Sequence, residues 1–312
     1  MESNRKPILS LCIPTNGILK WVIPTLESIY TQNVDNNLFE VIITDNGQDS
    51  ELQKALGLYN YPNLSYIKTN DSGFLNLVTC LEKGHGLFCK MINHRMMIRP
   101  GMLQQMIDIV LRYKDEKPVM YFVNGMIKLP IIQECTNFDS FVYNLHYCVS
   151  WSAGIGFWDI DIENLSSIVP NQMFPNTSLL FEHRKKSHYV IWNGIYGEMQ
   201  NDDGKGGYDL FKTFAVVLPD IVRKCKKQKR IKNRTWIFFK RKLFFYLCNL
   251  YYEEVVMTSK RTFEIKNVRE SICKYYSMLG YLFLVFYCYT IKPLRKIGKQ
   301  IIKNKESDFF CI

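Results

Sequence analysis

Three short polar turns carry side chains that can hold a charged ligand. Thr15-Asn16, Asp45-Asn46-Gly47 and Asn93-His94-Arg95 each follow directly on an apolar run. The carboxylate of Asp45 can only accept hydrogen bonds, which suits recognition of a ligand N–H group. Arg95 is permanently charged and can bind a phosphate group through two parallel hydrogen bonds. The three turns are therefore the first place to expect chemistry.

The turns are separated by alternating strand-like and helix-like segments. Apolar, β-compatible runs occupy residues 8–14, 40–44, 64–68 and 88–92. Apolar residues with helical spacing occupy 19–32, 50–58, 73–83 and 102–113. This alternation predicts an α/β fold with a mainly parallel sheet and helices on both faces. Ligands of such sheets bind beyond the carboxyl ends of the strands, where the three turns fall.

The pattern weakens after residue 113. Residues 119–122, 150–157, 179–181 and 189–192 are short strand candidates, and residues 208–217 resume helical spacing. Between them, the glycine-rich stretch 202–207 is expected to form a flexible loop.

Composition narrows the class of protein. Hydrophobic residues make up 47% of the 312 residues and charged residues 22%, which is typical of a globular chain and not of a disordered one. The ten cysteines form no C-x-x-C pair and have no accompanying histidine cluster, so neither a zinc site nor a disulfide framework is indicated. The charged first seven residues do not resemble a signal peptide. We therefore expect reduced thiols and a cytoplasmic location.

The net charge of +11 is unevenly distributed. Residues 221–312 contain 22 Lys and Arg against 6 Asp and Glu, whereas residues 1–220 contain 18 against 23. A break of this size predicts a functional boundary near residue 220. The sequence thus predicts a domain over residues 1–220 and a basic, aromatic-rich helical extension over 221–312.

The extension has two possible partners. Residues 275–291 are 17 uncharged residues with five tyrosines, followed by a basic stretch. The run is shorter than the roughly 20 residues of a spanning helix, so a helix lying in an anionic membrane surface is favoured. The basic residues could also attract nucleic acid phosphates, although the aromatic residues fall in apolar clusters beside them. Alternatively, the apolar faces pack on the preceding domain.

Five segments, in order, resemble one enzyme family. They are residues 10–16 (SLCIPTN), 26–32 (LESIYTQ), 40–47 (EVIITDNG), 83–88 (KGHGLF) and 100–103 (PGML). These segments resemble the inverting, nucleotide-diphosphate-sugar-dependent glycosyltransferases of family 2, whose fold is called GT-A. The resemblance covers roughly residues 8–113 and is thin over 114–220.

The resemblance implies a nucleotide-sugar donor and assigns residues to it. Asp45 is expected to accept a hydrogen bond from the donor's base, usually uracil N3–H, although it could instead only close a turn. Thr15 and Asn16 are expected to make backbone and ribose contacts with the donor and not to be catalytic groups. Asn70 and Asn76 could flank the nucleotide or occupy turn and helix-surface positions. The full predicted donor-binding set is Pro14, Thr15, Asn16, Asp45, Asn46, Asn70, Asn76 and Asn93.

The fourth strand departs from the family pattern. The family places Asp-x-Asp at its end, where the carboxylates bind Mg²⁺ or Mn²⁺ and the metal neutralises the leaving diphosphate. Here the position holds Asn93-His94-Arg95, so no metal ligands are predicted. Either the catalytic site has been lost, or Arg95 and His94 replace the metal. We favour replacement because a lost site would not preferentially gain a cation. Lys90 is expected on the opposite strand face from Arg95.

The general base for the acceptor hydroxyl is harder to assign. The stretch where the family supplies an acid is residues 174–177, which contains none. Nearby candidates are Asp159, Asp161, Glu182, His183 and Asp209. Of these, Asp209 is predicted to be catalytic, together with Arg95 and His94. Asp202 and Asp203 could belong to a loop over the site. Trp151 and Trp192 could form a sugar-stacking platform for the acceptor, or pack in the core.

The sequence thus predicts an inverting GT-A glycosyltransferase with a C-terminal helical extension. It is expected to transfer a sugar from a nucleotide diphosphate to a glycan hydroxyl, with a lipid-linked acceptor, in surface polysaccharide synthesis of the O-antigen or capsule type. Its expected location is peripheral, on the inner face of the cell membrane. The alternatives are an inactive nucleotide-sugar-binding protein, or a nucleic-acid-binding protein acting through the basic extension.

Overall fold

The computed structural model describes residues 6–184, 187–200, 206–258 and 262–294. The chain divides into two compact units, residues 1–201 (unit 1) and residues 202–312 (unit 2). The predicted boundary at residue 220 falls inside a helix of unit 2, Leu218–Lys227. The roles assigned to the two parts of the chain stay predictions.

Ten strands lie in the described part of unit 1. They are β1 (Leu9–Thr15), β2 (Phe39–Asp45), β3 (Leu64–Lys68), β4 (Phe88–Met91), β5 (Met96–Ile98), β6 (Val119–Phe122), β7 (Ile132–Cys135), β8 (Gly156–Trp158), β9 (Tyr189–Trp192) and β10 (Gly197–Met199). The helices of this unit are α1 (Leu19–Tyr30), α2 (Glu51–Leu56), α3 (Asn76–Glu82), α4 (Met102–Arg112), α5 (Phe138–Leu145), α6 (Asp159–Leu165) and α7 (Pro175–Glu182).

The central sheet has the order β3-β2-β1-β4-β8. Its first four strands are parallel, and β8 is antiparallel to β4. Leu9, Leu11, Cys12 and Ile13 of β1 are fully buried, because helices such as α3 and α4 contact this strand. The mainly parallel α/β sheet predicted from the alternation of apolar runs is confirmed.

Two smaller sheets complete unit 1. One has the order β6-β9-β7, and the other pairs β5 with β10 in antiparallel fashion. The β5–β10 pair follows the polar turn at residues 93–95 directly. The chain beyond β10 therefore returns to this turn, where the backbone N–H of Gln200 donates to the Arg95 carbonyl at 2.8 Å.

One strand prediction was right only at its end, and another was wrong. Two short 3₁₀ turns, His146–Ser150 and Ser152–Gly154, occupy the start of the stretch 150–157, and a strand, β8, begins only at Gly156. Tyr121 stabilises these turns, since its hydroxyl lies 2.5 Å from the Cys148 carbonyl and 2.8 Å from the Trp151 carbonyl and its single hydrogen can be donated to either. Residues 179–181 belong to helix α7. Three adjacent buried apolar residues carry no period by which a strand could be told from a helix.

Unit 2 is helical in its described residues. It contains α8 (Leu210–Lys212), α9 (Leu218–Lys227), α10 (Asn233–Tyr251) and α11 (Val268–Phe286), with π-helical turns at Thr213–Val217, Tyr252–Met257 and Tyr287–Ile291. Helices α10 and α11 pack in parallel: Tyr276 donates to the Lys240 carbonyl at 2.9 Å, and Cys288 to the Cys248 carbonyl at 3.2 Å. Val268–Leu294 is a helical stretch of 27 residues, long and apolar enough to cross a membrane.

An ion-pair cluster closes the amino-end edge of the central sheet. Asp159 accepts hydrogen bonds from Lys117 (2.8 Å) and Lys6 (2.7 Å). Burial alone would raise the pKa of Asp159, but the hydrogen bonds from Lys117 and Lys6 hold this pKa below its usual value. A lowered carboxyl pKa stabilises the fold above pH 4, and this stabilisation is lost as the pH falls through the folded-state value.

Replacing this carboxylate tests the cluster. Asp159→Asn is expected to lower the free energy of unfolding by about 1 kcal/mol at pH 7 and by less near pH 2, because the stabilisation is lost as the pH falls through the lowered pKa of the folded state. Urea unfolding at both pH values measures the difference. Glu163→Gln, an exposed substitution on the same helix, serves as the control and should change neither value. If Asp159→Asn lost the same free energy of unfolding at both pH values, the stabilisation could not come from the ionised carboxylate.

Candidate functional site

The strand register brings the first two polar turns to one edge of the sheet. Thr15 lies opposite Asp45, and Asp45 lies opposite Lys68. Asn76 links these strand ends, because its amide donates to the carbonyls of Thr15 (3.1 Å) and Thr44 (2.9 Å) and accepts from the Thr69 hydroxyl at 3.0 Å. The amide of Asn76 therefore holds the edge together, and its predicted contact with a donor is untested.

Asp45 is the central charge of this edge and is fully buried. Its carboxylate accepts from the backbone N–H of Gly47 (2.7 Å), the hydroxyl of Tyr66 (2.8 Å) and the ammonium of Lys68 (3.0 Å). Burial, followed by the hydrogen bond to Asp45, raises the pKa of Tyr66 above its usual value. The side chain of Lys68 is 38% exposed. Lys68 is thus the most exposed of these three groups.

Glycine is required on both sides of this carboxylate. A Cβ atom at Gly17 would lie 3.1 Å from Asp45 Oδ1, and one at Gly47 would lie 2.9 Å from the same atom. Gly17 also has a φ of +84°, which other residues rarely adopt. The turns after β1 and β2 therefore lie so close to Asp45 that they leave no room for a side chain at Gly17 or Gly47.

The remaining predicted donor residues lie around the same edge. The amide of Asn46 donates to the carbonyls of Asp71 (2.9 Å) and Gly73 (3.1 Å) and so fixes the loop after β3. Asn16 and Asn70 are exposed, and Pro14 is half-buried within β1. These positions fit a rim around a ligand.

Two buried polar atoms near this edge have no hydrogen-bond partner among the described residues. They are Oδ2 of Asp71 and Nε1 of Trp21. Buried polar atoms are almost always paired, so each such atom requires an explanation, and a ligand is one. Asp71 is not in the donor-binding set predicted from the sequence. The position of Asp71 after the third strand was the available signal.

The third turn joins the edge through His94. His94 Nδ1 lies 2.8 Å from the Thr15 hydroxyl, and Arg95 Nε donates to His94 Nε2 at 3.3 Å. Because Nε2 accepts, the neutral imidazole carries its proton on Nδ1 and donates it to Thr15. The predicted pair His94 and Arg95 is thereby connected to the end of β1.

Arg95 itself is 5% exposed. The centre of its guanidinium group lies 4.5 Å from the ring of Trp21 on α1. Asn93 Oδ1 accepts from the Arg95 backbone N–H at 2.9 Å, which closes the turn. Asn93, His94 and Arg95 thus form a hydrogen-bonded turn in which the guanidinium is stacked on an indole ring.

The two tryptophans predicted to form a sugar-stacking platform differ in their exposure. Trp192 is 4% exposed and stacks on Tyr196 with ring centroids 5.8 Å apart, so it packs in the core. Trp151 is half-buried, with its ring 6.1 Å from that of Tyr196. Trp151 alone of the two therefore offers a surface to a ligand.

The structure separates the candidate bases. Asp159 begins α6, and its backbone N–H donates to the Leu87 carbonyl before β4, at the opposite edge of the sheet from Asn93-His94-Arg95. Asp161 on the same helix pairs with Arg184 through two hydrogen bonds of 2.6 and 2.8 Å. Both aspartates stabilise the fold there.

The other acids and His183 are distributed over the two units. Glu182 ends α7, and burial lowers the pKa of the adjacent His183. Asp209 lies in unit 2 and caps α8 by accepting from the Lys212 backbone N–H at 3.0 Å. Asp202 and Asp203 lie outside the described residues. Among residues 6–184, 187–200, 206–258 and 262–294, no three His, Cys, Asp or Glu side chains form a metal-binding group.

Solved structures share this fold. S. aureus TarS residues 1–349 superimposes with a TM-score of 0.55 at 14% identity, covering 80% of this chain and 75% of that one. The same part of TarS in complex with UDP gives a TM-score of 0.50 at 15% identity, covering 69% and 65%. This chain therefore spans less than two thirds of the length of the TarS chain in that UDP complex. A longer chain of S. aureus TarS gives a TM-score of 0.51 at 13% identity, covering 81% of this chain and 46% of that one.

The comparison confirms the predicted fold class, the GT-A fold with a mainly parallel sheet and a C-terminal helix. No protein-family model matches the sequence. No curated protein matches it either.

Proposed function

We propose that this protein is a glycosyltransferase that uses a nucleotide-diphosphate sugar, with UDP as the favoured nucleotide. The observation that carries the proposal is the register that puts Thr15, Asp45 and the Asn93-His94-Arg95 turn on the carboxyl edge of a GT-A sheet. In sheets of this kind that edge is where ligands bind. A structure of similar fold, S. aureus TarS residues 1–349, holds UDP. The buried Oδ2 of Asp71, which has no hydrogen-bond partner within the described part of the chain, supports a ligand at the same edge.

The proposed reaction is a displacement at the sugar's anomeric carbon with inversion. The acceptor hydroxyl oxygen forms the new bond, the bond to the nucleotide diphosphate breaks, and the hydroxyl proton passes to a base. Arg95 and His94 stand where the leaving diphosphate gains charge, and a cation held there stabilises that charge. Asp209 remains our candidate for the base. Its carboxylate caps α8 in unit 2.

A donor screen tests the proposal. Thermal shifts of the full chain are measured with UDP-, GDP-, dTDP- and CDP-sugars, followed by release of nucleotide diphosphate from the best donor. We expect a shift and slow donor hydrolysis with a uridine donor. Binding without turnover would favour the inactive nucleotide-sugar-binding alternative. Tight, salt-sensitive RNA binding without any donor shift would favour the nucleic-acid alternative.

We also propose that the acceptor is lipid-linked and that unit 2 contacts an anionic membrane on its cytoplasmic side. Leu279, Leu282 and Phe286 are exposed along α11, whereas Leu284 and Cys288 on the opposite side of the helix are fully buried. An uncharged, one-sided apolar face beside a strongly basic sequence suits a surface of anionic lipid. Synthesis of a surface polysaccharide of the O-antigen or capsule type is the process that such an acceptor would serve.

A charge placed on that face should weaken membrane binding. Leu279 is 79% exposed, and Leu279→Glu is expected to reduce partitioning onto anionic vesicles at least about tenfold, since a buried leucine contributes roughly 1.5–3 kcal/mol. Vesicle flotation measures the partitioning. Leu58→Glu, the same change at an 88% exposed position of unit 1, is the matched control and should leave it unaltered. Absence of vesicle binding by wild type would contradict membrane contact.

A further inference from the structure

Lys90 is a lysine without any exposed surface, in the middle of unit 1. Its ammonium donates to the carbonyl of Met91 at 2.8 Å, to the carbonyl of Ala153 and to the hydroxyl of Tyr196 at 3.4 Å. Three acceptors match the three hydrogens of an ammonium group. In the part of the chain that the structure describes, no carboxylate pairs with Lys90, and the rings of Phe122 and Tyr196 lie 4.7 and 5.1 Å from its nitrogen.

Such a position is unfavourable for a cation. Removing a charge from water costs several kcal/mol unless it is fully compensated. Burial lowers the pKa of Lys90 well below its usual value, and Cys12 on β1 opposes this shift. A methionine would fill a similar volume without that cost. Stability of the fold therefore does not explain a lysine at this position. The three acceptors that its nitrogen connects offer an explanation.

The three acceptors belong to three segments near the candidate site. Met91 ends β4 and is followed closely by the Asn93-His94-Arg95 turn. Ala153 lies in the 3₁₀ turn Ser152–Gly154, next to the half-buried Trp151. Tyr196 directly precedes β10, and its hydroxyl also donates to the Ala153 carbonyl at 2.8 Å. Lys90 thus joins the segment that bears the predicted diphosphate contacts to the segment that bears the predicted acceptor surface.

We propose that Lys90 is a positioning residue, which sets the Trp151–Gly154 segment against the end of β4 so that acceptor and donor meet correctly. The inference rests on the proposed sugar transfer. Lys90 itself touches no reacting atom, and its hydrogen bonds do not involve Arg95. It acts through the backbone of Met91 and Ala153, where small displacements strongly affect the rate of a reaction between two bound groups.

Lys90→Met in the full chain tests this role. We expect the melting temperature to be unchanged or higher, because a buried charge is replaced by an apolar side chain of similar size. Amide exchange should nevertheless become at least about tenfold faster at Met91, Gly154 and Ile155, whose N–H groups bond to Ile155, Trp151 and Ser152. The kcat for transfer should fall about tenfold, with the thermal shift by the donor retained.

Two further variants keep the outcome interpretable. Tyr196→Phe removes one acceptor of Lys90 and one donor to Ala153, so it should accelerate exchange at Gly154 and Ile155 as well. Lys117→Met removes a lysine that pairs with Asp159 at the opposite edge, and should lower stability slightly with kcat unchanged. The pH dependence adds an independent measure. Because the unfolded chain holds a proton that folded Lys90 releases more easily, wild type should gain stability relative to Lys90→Met as pH rises towards about 10.

The proposal is overturned if Lys90→Met loses stability throughout the unit, with faster exchange in β1 and β2 as well. It is equally overturned if exchange at Gly154 and Ile155 and kcat all stay at wild-type values. Failure of the proposed sugar transfer gives a different pattern: wild type shows neither donor shift nor turnover. Exchange and melting then still decide whether Lys90 holds the three segments together.

Discussion

Replacing Arg95 with alanine is expected to lower kcat for sugar transfer by about two to three orders of magnitude, the usual loss when one charge-stabilising donor is removed. In the proposed mechanism, Arg95 takes the place of the metal-binding carboxylates of the family that the sequence resembles. It is held there by the indole ring of Trp21 at 4.5 Å and by His94. Steady-state kinetics with the donor identified by the thermal-shift screen measures the effect.

Two matched variants separate charge from geometry in this result. Arg95→Lys keeps the charge but loses the planar, two-pronged group, so it should recover only part of the rate. Arg99→Ala removes a half-exposed arginine after β5 that pairs with Glu198 at 3.3 Å, and should leave kcat unchanged. Folding of each variant is checked by its melting temperature. Equal losses for Arg95→Ala and Arg99→Ala would rule out a specific role.

The same role predicts the response to metal removal. If Arg95 and His94 stabilise the leaving diphosphate, EDTA should leave the rate of wild type within about twofold, because no bound cation is then needed for that stabilisation. Loss of activity in EDTA, with recovery in Mn²⁺, would contradict replacement of the metal by side chains.

Asp45→Asn is expected to reduce the free energy of unfolding by about 2–4 kcal/mol and to abolish the thermal shift by the donor. The carboxylate is fully buried and accepts three hydrogen bonds, from Gly47, Tyr66 and Lys68. An asparagine amide would turn a donor towards at least one of these donors and leave the Lys68 charge without its partner. Urea unfolding measures the loss.

Asp49→Asn is the control for this change. Asp49 is an exposed aspartate that follows Asp45 in the chain, and its side chain accepts from the Glu51 backbone N–H at 3.1 Å. It should alter stability by a few tenths of a kcal/mol at most. If Asp45→Asn loses donor binding but keeps its stability, the carboxylate binds the ligand and contributes little to the fold. Unchanged values for both would remove Asp45 from the site.

Local patterns located most of the strands and helices of residues 8–113. Each strand of the parallel sheet is a short apolar run ended by a polar turn, and the helices between them repeat apolar residues with a helical period. Those signals lie within a few residues of one another, so the sequence displays them directly. Where the signal was a short apolar run without period, as at residues 179–181, the prediction was wrong.

The sequence by itself determined the α/β alternation, the uneven charge and the three polar turns at the carboxyl ends of strands, because each depends on neighbouring residues. Only the tertiary structure decided which side chains those turns present. It placed Asp45 beneath Lys68, moved Trp192 into the core, put Asp159 at the opposite edge and enclosed Lys90 among Met91, Ala153 and Tyr196. These outcomes depend on strand register and on contacts between residues far apart in the chain. Local periodicity carries no information about such contacts, and burial then determines what each charge can do.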